Sequence, residues 1–369
     1  MFFSLNRVEN HPLYQFQIVL REFFEQCSNA PELDWLVFPQ WFQNLLENYG
    51  PTKERFERVF EIISNYQEEK RLHVLEIFDL INNVEELCTN RDLAAEYIED
   101  TDENLQELKK LFVKLFEETL KKVGLFENNI DDSINNHFLL FRELNKVCPF
   151  CGIEKYSDIG ISPRDSYDHY LSEKDYFLAG VNFNNLIPMC FRCNSGGNKG
   201  QKDILYNNQG NEKTRRLAYY PYSNVSGVQI QIEYFRDLDS KDIERFEATM
   251  IPNDENDVEK IETWDDVFNI TSRLNARIKS QQENWMEAFL ELAFPDACNE
   301  DALRNAARLR ANQLSEKIQT RSEAVLESAF LNFLADTEHE YLLTGYCDLS
   351  RDIAQKTEIL RTRLLDSIV

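Results

Sequence analysis

The chain has 369 residues, of which 43% are hydrophobic and 12% aromatic, so it contains enough apolar side chains for a core and is not disordered throughout. This length is typical of two or three domains. The formal net charge of −25 at pH 7 means that most of the surface repels phosphate, so contact with a nucleic acid requires a local basic patch or a partner protein.

The sequence lacks the usual signals for membrane insertion and export. No apolar run approaches the roughly 18–20 residues of a membrane span, and residues 1–7 lack the apolar stretch of roughly 7–15 residues found in a signal peptide. The sequence therefore predicts a cytoplasmic protein that does not enter a membrane. In that compartment the eight cysteines are expected to be thiols or metal ligands rather than disulfides.

Residues 1–145 are predicted to form a helical N-terminal domain. No proline occurs between Pro51 and Pro149. Apolar residues recur there at steps of three and four, which is the spacing of one helix face. Two such groups are Phe56, Val59, Phe60, Ile63 and Tyr66, and Leu108, Leu111, Phe112, Leu115 and Phe116.

Residues 146–235 are predicted to be a different kind of structure. Eight of the 11 glycines lie between Cys148 and Gly227, and dense glycine is typical of turns and irregular loops. One strand is predicted at 228–234, where apolar and polar side chains alternate. The C-terminal domain, 236–369, is predicted to be helical again, with one long helix over 301–335.

Two pairs of cysteines have the spacing of metal-binding knuckles: Cys148 with Cys151, and Cys190 with Cys193. A C-x-x-C pair directs two sulfurs towards a common point, and two such pairs complete a tetrahedral zinc site with no open position. The predicted zinc is therefore structural. The remaining cysteines are interpreted as small core residues: Cys27, Cys88, Cys298 and Cys347.

The segment between these two cysteine knuckles carries Asp168-His169 and Asn185, and Asn194 follows the second knuckle directly. In chain order the pattern is C-x-x-C, D-H, N-L-x-P-x-C-x-x-C-N and K. It resembles the HNH nuclease motif, also called the ββα-metal or His-Me finger, in a branch stapled by zinc. The resemblance covers about residues 145–222. It implies a two-stranded ribbon followed by a helix, with one divalent cation between them.

The resemblance also implies a role for each motif residue. His169 matches the general base, and Asp168 and Asn194 match ligands of the catalytic cation. Asn185 matches the middle motif position, whose side chain holds the loop that presents the histidine. Hydrolysis of a phosphodiester needs a base for water and a cation for the phosphate charge, and imidazole titrates near neutral pH. Hard oxygen ligands suit Mg²⁺ or Mn²⁺ rather than a second Zn²⁺.

The spacing after the motif departs from the family pattern. Lys199 follows Asn194 by five residues, whereas the family has a lysine about three residues after the last motif letter. Three glycines lie within 195–200, and each disfavours helix by roughly 1 kcal/mol relative to alanine. Two alternatives remain open: the helix begins later, or Asn198 replaces Asn194 as the metal ligand.

The central segment differs from the rest of the chain in charge. Residues 141–222 hold 11 Lys and Arg against nine Asp and Glu, a net charge of +2, whereas the rest carries −27. The predicted phosphate contacts of this segment are Lys199, Lys202, Arg215 and Arg216. The alternative is a basic surface cluster without a role.

The sequence thus predicts a mostly α protein with a small central ββα-metal finger between helical N- and C-terminal regions. Its expected activity is metal-dependent cleavage or nicking of DNA, which the resemblance implies leaves 5′-phosphate and 3′-hydroxyl ends. Large acidic helical arms around such a nuclease resemble effectors of Septu-type bacterial anti-phage defence, whose HNH subunit works with a partner ATPase. The alternatives are a non-catalytic zinc-stapled scaffold that binds a partner, and an RNA-cleaving toxin with the same finger.

Overall fold

The computed structural model describes residues 1–94, 103–120, 134–157, 165–209, 212–224, 227–237, 243–294 and 298–366. Within these ranges it contains twelve α-helices and three two-stranded antiparallel sheets. The prediction of a mostly α protein is therefore confirmed. Among the described helices, none is both long and apolar enough to cross a membrane.

The N-terminal part consists of seven helices in the described residues. Phenylalanines of five of them meet in the core. There Phe24 stacks on Phe78 with ring centroids 4.5 Å apart, and Phe23 contacts Phe56 edge to face. A π-helical segment, Leu115–Leu120, continues the sixth helix. The helices are α1 (Gln15–Asn29), α2 (Gln40–Asn48), α3 (Gly50–Ser64), α4 (Glu68–Asn82), α5 (Val84–Thr89), α6 (Glu103–Lys114) and α7 (Ile134–Leu144).

The described residues of the central part contain two short ribbons. Strand β1 (Tyr167–His169) pairs with β2 (Leu186–Pro188), and β3 (Tyr206–Gln209) pairs with β4 (Glu212–Arg215). Helix α6 packs against the single turn at Phe177–Ala179, which lies in the connection between β1 and β2. The rings of Phe112 and Phe177 meet edge to face in this contact. The N-terminal helices therefore form one wall of the region around His169.

The C-terminal part begins with a long hairpin. The predicted strand at 228–234 is present within β5 (Val228–Asp237), which pairs along its whole length with β6 (Ile243–Pro252). The predicted domain boundary between residues 235 and 236 lies inside β5. Five helices follow: α8 (Val258–Phe268), α9 (Ile270–Ala293), α10 (Glu300–Ser315), α11 (Ala324–Asp336) and α12 (Glu340–Asp366).

The prediction of one helix over 301–335 is wrong, because the chain reverses there and forms α10 and α11. The two helices pack against each other, and Ser328 Oγ donates to Ala311 O at 2.8 Å. Turns separate them at 316–323, and Glu323 adopts a left-handed φ of 64°. Its backbone N–H donates to Gly152 O at 3.0 Å, so the reversal contacts the first cysteine knuckle.

A buried histidine makes the stability of the N-terminal part depend on pH. His137 is fully buried. Burial lowers its pKa to about 3, with smaller contributions from His11 and Arg7. The unfolded chain, with a histidine pKa near 6.5, therefore binds the proton first as the pH falls. Stability from His137 is complete above about pH 6.5 and is lost at up to about 1.4 kcal/mol per pH unit below it.

This dependence can be measured as the free energy of unfolding between pH 7 and pH 4.5. We expect His137→Gln, which cannot be protonated, to flatten the profile relative to the wild-type protein. His73 is half exposed, so His73→Gln serves as the matched control and should keep the wild-type slope. Equal slopes for His137→Gln and the wild-type protein would contradict the assignment.

Candidate functional site

The four cysteines of the two knuckles come together at the centre of the molecule. Their Sγ atoms all lie within 4.8 Å of one another, and all four residues are buried. Cys148 Sγ is 3.8 Å from Cys193 Sγ, and Cys151 Sγ is 3.9 Å from Cys190 Sγ. In the described residues, no other group of histidine, cysteine or acidic side chains has this arrangement.

The spacing of the sulfurs fits zinc. Zn–S bonds of about 2.3 Å in a tetrahedron place the sulfurs roughly 3.8 Å apart, close to the two distances given above. Gly152 shapes the first knuckle: its φ is +63°, and an added Cβ would lie 2.6 Å from Val325 Cγ1. Its N–H donates to Cys148 O at 2.8 Å. The site can therefore hold a metal ion, and a buried set of four thiols is compatible with zinc.

One basic residue at this centre was not evident from the sequence. Arg273 on α9 donates from Nη1 to Cys193 Sγ at 3.2 Å. Four thiolates with one Zn²⁺ would carry a net charge of −2, which this guanidinium would partly compensate. Arg273 lies 80 residues after Cys193, so no local pattern could have connected the two.

The β1–β2 ribbon presents the residues of the D-H pair. Asp168 is opposite Ile187, and His169 is opposite Leu186. Asn185, fully buried, holds the connection between the strands. Its Oδ1 accepts from Leu171 N at 2.6 Å, and its Nδ2 donates to Leu171 O and to Ala179 O. These three hydrogen bonds tie the residues after β1 to the residue before β2.

The imidazole of His169 has a defined orientation. Nε2 lies 2.8 Å from Gly180 O, and because a carbonyl oxygen only accepts, Nε2 carries the proton. Nδ1 is then the basic nitrogen, and Glu173 Oε2 is 3.9 Å from it. The ring of Phe116 packs edgewise on the imidazole at 4.7 Å. The side chain keeps 13% of its surface exposed, so water can reach it.

Asp168 is paired with a buried lysine. Lys199 Nζ lies 2.9 Å from Asp168 Oδ2 and donates to His169 O at 2.8 Å. Lys199 is 1% exposed and Asp168 is 7% exposed. Burial raises the pKa of the Asp168 carboxyl, and the Lys199 ammonium opposes that rise. Lys199, predicted as a phosphate contact, is thus buried beside the cleft.

The segment after the second knuckle does not form the expected helix. Residues 191–201 form consecutive turns, in agreement with the low helix propensity of the glycines there. Asn198 Nδ2 donates to Arg192 O at 2.6 Å, which holds one of these turns. Neither Asn194 nor Asn198 belongs to the residues that line the cleft at Asp168.

The positions of Lys199, Asn194 and Asn198 decide whether a divalent cation fits at Asp168. The Asp168 carboxylate contacts an ammonium group, and the structure does not bring Asn194 or Asn198 into the cleft beside it. The arrangement therefore does not fit a cation held jointly by Asp168 and Asn194, nor one in which Asn198 replaces Asn194.

A cleft of about 340 Å³ opens at this ribbon. It brings together three amines, two carboxylates and the imidazole, although the chain as a whole is strongly acidic. Two of the amines, Lys109 on α6 and Lys174, were not predicted. Lys109 comes from a helix some 60 residues before His169, so its position follows only from the packing of α6. The lining residues are Lys109, Val113, Asp168, His169, Ser172, Glu173, Lys174, Lys199, Gly200 and Gln201.

The other three predicted phosphate contacts bind parts of the protein itself. Lys202 Nζ donates to Asp266 O at the end of α8, at 2.6 Å. Arg216 is 8% exposed and forms an ion pair with Asp266 at 2.7 Å. Arg215 donates to backbone carbonyls at the end of α5, including Asn90 O at 3.0 Å. In this structure these cations connect the centre to the flanking helices.

Comparison of the chain with protein-family models, with curated proteins and with solved structures found no match. The resemblance to the HNH motif is therefore carried by the motif residues of this chain alone.

Proposed function

We propose that this chain is an HNH-type endonuclease that hydrolyses DNA phosphodiester bonds in the cleft at His169. The observation that carries the proposal is the geometry of the imidazole. Gly180 O fixes the tautomer, and Nδ1 is left as the base beside a cleft lined by amines. A histidine in this state can accept a proton from water at neutral pH.

The chemistry follows from the groups that line the cleft. His169 Nδ1 takes a proton from water, and the resulting hydroxide attacks phosphorus in line with the leaving 3′-oxygen. The P–O3′ bond breaks, and the leaving oxygen takes a proton from solvent water to become the 3′-hydroxyl. Lys109 and Lys174 offer positive charge to the phosphate oxygens, and this charge stabilises the transition state. The ring of Phe116 packs edgewise against the imidazole and limits its movement. The four-cysteine centre, with zinc bound, holds the chain segments on both sides of the ribbon.

We further propose that the protein acts with a partner. A net charge of −25 opposes binding of long DNA to most of the surface. A partner that delivers DNA to the cleft would offset this repulsion. A bacterial anti-phage effector that works with an ATPase has this requirement, and the large helical flanks offer surface for such a partner.

One observation favours a second candidate. The ion pair between Asp168 and Lys199 neutralises a motif carboxylate internally, as a non-catalytic zinc-stapled scaffold would tolerate. Cleavage assays distinguish the two. Zinc-loaded protein, alone and with its partner, would be incubated with end-labelled DNA and RNA plus Mg²⁺ or Mn²⁺. The nuclease proposal predicts DNA cleavage. Intact DNA and RNA in the reconstituted complex would favour the scaffold, and RNA cleavage alone would favour the toxin.

The two unpredicted amines give a specific test of the cleft as the phosphate site. In a His169→Ala background, which slows cleavage, we expect Lys109→Ala with Lys174→Ala to weaken duplex binding by about tenfold or more. Loss of two phosphate contacts should also lower the slope of log affinity against log salt by about 1.8. Fluorescence anisotropy at several salt concentrations measures both quantities.

The matched control for this test is Lys110→Ala. Lys110 is the next residue on α6, but it is 63% exposed and pairs with Glu107 outside the cleft. It should leave the affinity and the salt slope nearly unchanged. If Lys110→Ala and the double variant had equal effects, phosphate binding would depend on overall charge and not on the cleft.

A further inference from the structure

The Asp168–Lys199 pair suggests a property beyond the proposed reaction. We propose that the Lys199 ammonium is a displaceable internal cation, so that a divalent cation binds Asp168 only after Lys199 leaves. This inference rests on the proposed function, because it concerns the same cleft. The proposal explains why the motif carboxylate of Asp168 is present although its ion pair with Lys199 does not fit a bound metal ion.

Burial makes this pair a defined site and not a chance surface contact. An ammonium group removed from water is costly unless a charge and further acceptors compensate it. Lys199 has both: Asp168 Oδ2 at 2.9 Å and His169 O at 2.8 Å. Both acceptors belong to β1, so the ammonium is fixed against the strand that carries the proposed base.

The same two acceptors suit a hard cation. A carboxylate oxygen and a backbone carbonyl are ligand types of Mg²⁺ and Mn²⁺. An ammonium group and a divalent cation that share Asp168 Oδ2 and His169 O repel each other strongly in a buried site. The two cations therefore compete for one position.

The side chain of Lys199 lines the cleft and has a flexible four-carbon stem, so it can withdraw by rotation about its own bonds. The lysine lies in the turns of residues 191–201 and not on a rigid helix. Gly196 and Gly197 have open space around the position of a Cβ, and Gly200 has a φ of +46°. Backbone hydrogen bonds hold these turns, including Lys199 N to Cys193 O at 3.3 Å and Gly200 N to Ser195 O at 3.1 Å, so the movement is one of the side chain. Withdrawal of Lys199 would open the Asp168 side of the cleft.

The test measures Mn²⁺ binding to zinc-loaded protein by the loss of the free Mn²⁺ signal in electron paramagnetic resonance, without any substrate. We expect Lys199→Met to bind Mn²⁺ at least about tenfold more tightly than the wild-type protein, because the competing charge is gone. Lys110→Met removes an equal charge outside the cleft and should not tighten binding. Adding Asp168→Asn to Lys199→Met should abolish the gain.

The fold of each variant is checked by zinc content and melting temperature, and Lys199→Gln provides a second removal of the charge if Lys199→Met does not fold. Mn²⁺ affinity equal to or below that of the wild-type protein in the folded variant would overturn the proposal. A gain in affinity without cleavage of DNA by the reconstituted complex would support the competition and refute the nuclease. Cleavage of DNA by the reconstituted complex, with Mn²⁺ affinity unchanged in the folded Lys199 variant, would support the nuclease and refute the competition.

Discussion

Cys148→Ser and Cys190→Ser are each expected to unfold the central part of the protein and to release its metal ion. A structural zinc site of thiolates contributes about 10–16 kcal/mol of apparent binding free energy in small domains. Whole proteins are stable by only about 5–15 kcal/mol. The flanking helices also depend on this centre, because Arg273 of α9 and the reversal before α11 both contact the knuckles.

Metal content by mass spectrometry and thermal unfolding measure this effect. The wild-type protein should contain one zinc per chain, and each serine variant should contain little or none and melt at a much lower temperature. Cys27→Ser is the matched control, because Cys27 is also a buried cysteine but lies on α1, away from the knuckles. It should keep its zinc. Equal zinc content and melting temperature in all of these proteins would contradict the assignment of the four knuckle cysteines as a structural zinc site.

His169→Ala is expected to leave the protein folded and to lower the rate of cleavage by about 10²–10⁴, the contribution of a general base. The substitution removes one hydrogen bond to Gly180 O and the contact with Phe116. The loss of stability should therefore be modest, about 1–2 kcal/mol. This separation of activity from stability distinguishes His169 from the cysteines.

Single-turnover cleavage and thermal unfolding of the same preparation test the prediction. His73→Ala is the matched control, since His73 is half exposed and lies on α4, away from the cleft. It should cleave at the wild-type rate. Full activity of His169→Ala in the reconstituted complex would contradict the proposed mechanism, even if DNA were the substrate.

Local patterns in the sequence predicted the helical regions and the cysteine centre. The three- and four-residue spacing marked α3 and α6, and two C-x-x-C pairs marked four sulfurs that meet in the structure. The reversal at 316–323 escaped notice because it contains neither glycine nor proline and depends on Glu323 docking against Gly152. Strand β6 was missed because charged residues interrupt its apolar alternation.

The cleft could be predicted only in part. Asp168 and His169 are adjacent in sequence, so the motif located them. The positions of the amines could not be predicted, because sequence proximity does not show which way a basic side chain points. Lys202 and Arg216 contact α8, whereas Lys109 reaches the cleft from a distant helix. The buried position of Lys199 depends on the turn between the knuckle and β3, which the family pattern does not contain.

The most direct test of the central claim, that a water activated by His169 attacks phosphorus, is cleavage of DNA in ¹⁸O-labelled water. The products would be analysed by mass spectrometry after one turnover with the zinc-loaded protein and its partner. The account predicts 5′-phosphate ends that carry one ¹⁸O atom and unlabelled 3′-hydroxyl ends. Unlabelled phosphate ends, label in the hydroxyl, or 2′,3′-cyclic phosphates formed only from RNA would contradict it.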